Sequence, residues 1–95
     1  MPMIVAVLTV ELYLPGSASL KDKRAILRQL KDRLANKFNI SIAEVDHQDK
    51  WQRAQLGIAQ VGNDYKFLEK SMNTILQVID ENDAAEVTEH LIEYL

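Results

Sequence analysis

The sequence predicts an α+β domain: a four-stranded antiparallel sheet with two helices on one face. Three observations predict it. Four stretches carry the β-branched, alternating pattern of strands. Two others repeat apolar residues at helical spacing. Their order is strand, helix, strand, strand, helix, strand. At 95 residues the chain makes a single domain, because two cores of half that size would not hold together.

Residues 3–14 form the first expected strand. Ile4, Ala6, Leu8, Val10, Leu12 and Leu14 share one face, and Met3, Val5, Val7, Thr9, Glu11 and Tyr13 the other. Both faces are largely apolar at the start, as in a central strand. Pro15-Gly16-Ser17 ends it. Ser19-Leu20-Lys21-Asp22 then fits a capping box, with Asp in place of the commoner Glu. Leu20, Leu27, Leu30, Leu34 and Phe38 form the stripe of the first helix, widened by Ile26, and Asn39 is its expected left-handed stop.

Ile40 to His47 is the second strand. Its alternation slips, because Ile40 and Ile42 share a face that Ala43 and Val45 do not, and a bulge or a two-sided environment would explain this. Gln48-Asp49-Lys50 is a turn. Trp51 to Val61 is the third strand, and Gly57 within it suggests close backbone approach or a bulge. Asn63 or Asp64 caps the second helix. Its stripe is Tyr65, Leu68, Met72, Ile75, Leu76 and Ile79. Ala84 to Leu95 carries both helical and strand periods. It reads as a strand, because the sheet needs a partner. The order matches the split βαβ arrangement of the ferredoxin-like fold, a βαββαβ sandwich with sheet order 4-1-3-2.

Composition excludes several classes. At 47% hydrophobic the chain is not disordered. With no Cys it is no disulfide scaffold, zinc ribbon, iron–sulfur protein or thiol enzyme. No positive n-region precedes the apolar run Met3 to Leu8, and that run is far below the roughly 20 residues of a bilayer span. A cytoplasmic protein with no membrane role is the expectation.

Charge is unevenly placed. Seven basic residues against two acidic ones lie between Leu20 and Phe38, whereas residues 80–95 hold six acidic residues and no Lys or Arg. On a helical wheel Lys21, Arg24, Arg28 and Lys31 fall within an arc of roughly 80°. Such a stripe can follow a phosphate backbone. A solvated face is its commoner use, and the chain's pI of about 5.3 lies far from that of most nucleic-acid binders. The helix start, with Ser19, Lys21, Lys23 and Arg24 near free backbone N–H groups, is a candidate anion site. It lacks the spacing of a nucleotide-hydrolysing loop.

Asp46, His47, Asp49 and Trp51, with Glu44 upstream, form a second cluster. Carboxylates and an imidazole on a hairpin suit a metal or acid–base chemistry. Yet Asp46 and His47 are neighbours that point to opposite faces, and the Asp residues serve a turn equally well. Trp51 is expected to pack over the hairpin end, and His90 to be structural. No cofactor is indicated. The sheet's open face offers no central aromatic for base stacking. Its aliphatics, Val5 and Val7 above all, predict a homodimer or higher oligomer through that face.

Ser19-Leu20-Lys21-Asp22-Lys23-Arg24, the stretch Phe38 to Asp49 and Trp51-Gln52-Arg53-Ala54 together resemble the YlxP-like family of small bacterial proteins of unknown function, over the whole chain. The resemblance implies a ferredoxin-like fold. Family genes lie near translation and ribosome-maturation factors, which implies a link to RNA or the ribosome. It implies no catalytic residues. The preferred expectation is a non-enzymatic protein that contacts RNA or a ribonucleoprotein through Lys21, Arg24, Arg28 and Lys31, with Arg53 as an outlier. The alternative is a small-molecule or metal-binding module at Asp46, His47 and Asp49.

Overall fold

The computed structural model describes residues 2–95. Its elements are β1 (Ile4–Tyr13), α1 (Leu20–Lys37), β2 (Ser41–Asp46), β3 (Arg53–Gly62), α2 (Tyr65–Asp80) and β4 (Glu86–Tyr94). They build one antiparallel sheet of order β2-β3-β1-β4, the ferredoxin-like βαββαβ topology.

Register decides which residues meet the helices. Leu8 faces Ile58, Val10 faces Leu56 and Leu12 faces Ala54 across β1 and β3. These six are at most 1% exposed and share one core with Leu27, Leu30 and Leu34 of α1 and Leu68, Met72, Ile75 and Ile79 of α2. Both helices therefore lie on one face, which is where burial of apolar surface supplies the folding energy. On the other face Val5, Val7, Thr9 and Glu11 are only half-buried.

Local chemistry sets the helix ends. Ser19 Oγ accepts from Asp22 N at 3.0 Å, and Asp22 Oδ2 accepts from Ala18 N at 3.0 Å. The expected capping box thus closes one residue further out than usual. Asp64 caps α2, accepting from the Lys66 and Phe67 amides. Asn39 is not a left-handed stop. α1 ends on an extended Phe38, whose N–H donates to Leu34 O. Among the described residues the left-handed non-glycine position is His47, at φ 65°.

Two bulges explain the two irregular patterns. In β2 the register shifts between Glu44 and Asp46, so Val45 is the extra residue. A Cβ on Gly57 would lie 3.1 Å from Val45 Cγ1, so the glycine makes room for the bulged side chain. In β4 the register shifts opposite Glu11 and Leu12, leaving Thr88 unpaired. Val87 packs inward before the bulge and Ile92 and Tyr94 pack inward after it. A strand interrupted this way shows neither a clean period of two nor a helical one.

Candidate functional site

Lys23 is the organising side chain. It stands in the buried stripe of α1 with Leu27, Leu30 and Leu34 and is 1% exposed. Its Nζ donates to Glu44 Oε2 and to His47 O, each at 2.7 Å, and lies 3.3 Å from Gln48 O and 3.4 Å from Arg53 O. A buried ammonium must be paired and hydrogen-bonded, and here β2, the turn and β3 each supply oxygens. Lys23 is therefore not part of an exposed anion site. The sequence carried a signal for this: Leu20, Lys23, Leu27, Leu30 and Leu34 follow the helical repeat, with Lys in an apolar slot.

The rest of the α1 basic face behaves differently. Lys21, Arg24 and Arg28 are exposed and Lys31 is half-buried. None of the four makes an ion pair among the described residues. The acidic strand does not neutralise them. α1 packs against β2 and α2, and β4 forms the opposite edge of the sheet. At the helix start Ser19 and Asp22 already occupy two of the terminal amides.

The hairpin cluster does not converge as expected. Asp46 Oδ1 accepts from the His47 amide at 2.7 Å, which helps to hold the left-handed turn. The His47 ring lies between β1 and Asp46, with Nε2 3.1 Å from Glu11 Oε2 and Nδ1 3.9 Å from Asp46 Oδ1. Gln55 Nε2 donates to Glu11 Oε1 at 2.7 Å, and Arg53 Nη2 lies 3.6 Å from Glu11 Oε2. Glu11, His47, Arg53 and Gln55 thus form a connected polar group on the open sheet face. No set of three or more His, Asp or Glu side chains arranged to hold a metal occurs among the described residues. Sequence reasoning missed Glu11, because its partners lie 36 and 44 positions away.

Trp51 does not pack over the hairpin end. It is 57% exposed and borders a cleft of about 510 Å³ with Tyr13, Asp49, Lys50, Gln52 and Arg53. Gln52 Nε2 donates to Pro15 O and Ser17 O, each at 3.2 Å, which ties this loop to the segment leading into α1. Lys23 ties the same loop to the first turn of the helix. Exposed aromatics, Lys50, Arg53 and the start of the α1 basic face therefore share one end of the molecule.

On the open face Val61 and Leu91 are 60% and 57% exposed, beside Val5, Val7 and Ala59. Among the described residues no helix is long and apolar enough to cross a membrane.

Comparison with known proteins agrees with this architecture. The chain is 43% identical over 70 residues to the uncharacterized protein YlxP of Bacillus subtilis (strain 168), covering 74% of this chain and 76% of that protein. Two solved structures share the fold at low identity. The de novo designed protein Foldit4 has a TM-score of 0.59 at 9% identity, covering 99% of this chain and 97% of that one. The de novo designed protein Ferredog-Diesel has a TM-score of 0.53 at 12% identity, covering 94% and 83%. Residues 5–92 match the model of the family described as "Protein of unknown function (DUF503)", and the chain belongs to that family.

Proposed function

We propose that this is a non-enzymatic binding protein that contacts single-stranded RNA, free or in a ribonucleoprotein, at the α1 end. The observation that carries the reading is the set Lys21, Arg24, Arg28 and Lys31, cations without ion-pair partners among the described residues, on a helix that packs by β2 at the edge of the sheet opposite the acidic β4. Phosphates supply such cations with the partners they lack, and counterion release drives the association. Trp51 and Tyr13, exposed at the same end between Lys50 and Arg53, add faces on which bases stack. A low whole-chain pI is compatible with a local basic face, because fields fall off within about 10 Å at moderate salt.

Fluorescence anisotropy with labelled single-stranded RNA tests this. Arg24→Glu/Arg28→Glu should abolish binding and leave the melting temperature unchanged, because both side chains are exposed. An unmodified protein that binds no RNA at low salt ends the reading.

The open sheet face belongs to the same proposal. A second copy covers it, because Val5, Val7, Ala59 and Val61 form an apolar patch, bordered by Glu93 opposite Val7 and by Leu91 beyond it, that can pair with itself across a two-fold axis. Sedimentation equilibrium should give a dimer or larger species at micromolar concentration, and Val61→Asp should dissociate it. A stable monomer refutes this part alone.

A further inference from the structure

A second cleft, of about 600 Å³, opens between the C-terminal end of α1, the end of β3 and the first half of α2. Its walls are Phe38, Val61 and Phe67, and Lys37 and Lys70 stand beside them. Gln60 also lines it. Gln60 belongs to the core-facing side of β3, opposite Ala6, and is 6% exposed. Its Oε1 is buried and has no hydrogen-bond partner.

An amide oxygen left without a donor in the interior is costly, and folded proteins rarely retain one. Ile58 and Leu56 fill the preceding inward positions of the same strand with aliphatic side chains. A leucine is close to glutamine in size and would bring no polar atom to position 60. The amide is explained when a bound molecule supplies the missing donor. Oε1 is shielded as placed, and the terminal torsion of a glutamine is soft, so rotation about it can turn Oε1 to the cleft.

The remaining walls specify the rest of that molecule. Phe67 is 60% exposed for so large an apolar group, and Phe38 is half-buried. Two phenyl rings beside one cleft suit a planar ring system. Lys37 and Lys70 make no ion pair among the described residues, so an anion on the ligand would give them partners. Cleft size falls in the ordinary range for small-molecule sites.

We propose that this cleft binds a free purine nucleoside monophosphate. An N–H on the base edge donates to Gln60 Oε1, the purine lies against Phe67 and Phe38, and the phosphate pairs with Lys37 and Lys70. The site does not depend on the RNA reading. Gln60 is seven positions along β3 from Arg53, or about 23 Å of strand.

Isothermal titration with GMP and AMP tests it, with guanosine and inorganic phosphate as partial ligands. At least one nucleotide should bind, guanosine more weakly, and phosphate alone not measurably. Gln60→Leu should weaken nucleotide binding by about tenfold or more while raising the melting temperature, because it removes an unsatisfied buried group. Phe67→Ala and Lys70→Glu alter exposed positions, so they should fold normally and also lose binding. Arg24→Glu/Arg28→Glu should bind nucleotide as the unmodified protein does. Absence of binding to both nucleotides overturns the proposal. So does binding that Gln60→Leu, Phe67→Ala and Lys70→Glu all leave unchanged, or binding of the base only within an RNA strand.

Discussion

The Lys23 ammonium donates to Glu44 Oε2 at 2.7 Å from inside the core, with the lysine 1% exposed and the Glu44 side chain 19% exposed. This one contact joins the first helix to the edge of the sheet. The same nitrogen collects the carbonyls of the β2–β3 turn, so the loop that carries His47, Trp51 and Arg53 is positioned from α1.

Lys23→Ala should therefore be among the most destabilising single changes. It leaves a partly buried carboxylate and the turn carbonyls without their donor. Breaking a buried pair from one side costs about 3–5 kcal/mol. Glu44 retains some access to water, so the lower part of that range is expected. A domain of this size loses about 4–8 °C per kcal/mol. Thermal unfolding should show a fall of more than about 10 °C on that basis. Glu44→Gln should cost less, because the amide oxygen still accepts. A Lys23→Ala protein melting within 2–3 °C of the parent, roughly the shift of half a kcal/mol, contradicts this account.

Gly57 and Val45 should be energetically coupled. A Cβ at position 57 would meet Val45 Cγ1 at 3.1 Å, tighter than ordinary van der Waals contact. Gly57→Ala alone trades that compression against reduced freedom of the unfolded chain. In the Val45→Ala background only the gain remains. A double-mutant cycle by urea unfolding should give a coupling of about 0.5–1 kcal/mol. Strict additivity would mean that the strands part freely at the bulge.

His47 tests the left-handed turn separately from the polar group. Its φ of 65° lies in the left-handed region, which costs any residue with a Cβ, alanine more than histidine. His47→Gly relieves the backbone and removes the ring that faces Glu11. His47→Ala removes the ring and keeps the backbone cost. Unfolding should rank the alanine variant about 1 kcal/mol or more below the glycine variant, as the left-handed penalty implies. Equal stabilities would show that the turn changes conformation when the ring is lost.

Most of the fold was legible because its core follows simple periods. The even positions of β1 alternate cleanly, and α2 repeats Leu68, Met72, Ile75 and Ile79 at helical spacing. β4 was not legible in the same way, because the bulge at Thr88 divides its inward residues into two phases. The site was legible only in part. Lys21, Arg24 and Arg28 share an exposed helix face that a wheel reveals. Lys23 reads as part of the anion site at the helix start by its charge and its nearness to free amides, although its place in the apolar repeat puts it inside. The Glu11, His47 and Gln55 group depends on strand pairing at long separation, which no local pattern carries.

Tyr94 should titrate above the ordinary tyrosine range. Burial pushes its phenol up, and Tyr65 and Glu69 nearby add to the shift. The two rings lie 4.6 Å apart at 53°. An unfolded tyrosine ionises near pH 10, as a rough reference. Above that pH the folded state holds a proton that the unfolded state has released. The stability this group contributes is fully present below the unfolded value and is lost as pH rises through the folded one. Tyrosinate absorbance should show one late-titrating tyrosine, and Glu69→Gln should bring it down. Three tyrosines titrating together would exclude the shift.

Salt dependence gives the sharpest test of the α1 face. Each phosphate neutralised on a single strand adds about 0.7 to the negative slope of log K against log salt. If Arg24 and Arg28 each take one phosphate, replacing both by Ala should flatten the slope by about 1.4. Trp51→Ala should act differently. It removes stacking worth about 1–3 kcal/mol per base and no charge, so it should lower affinity at every salt concentration and leave the slope alone. An arginine pair and a tryptophan that changed slope and intercept in the same way would mean that the cationic face and the Trp51 cleft do not act as phosphate and base sites.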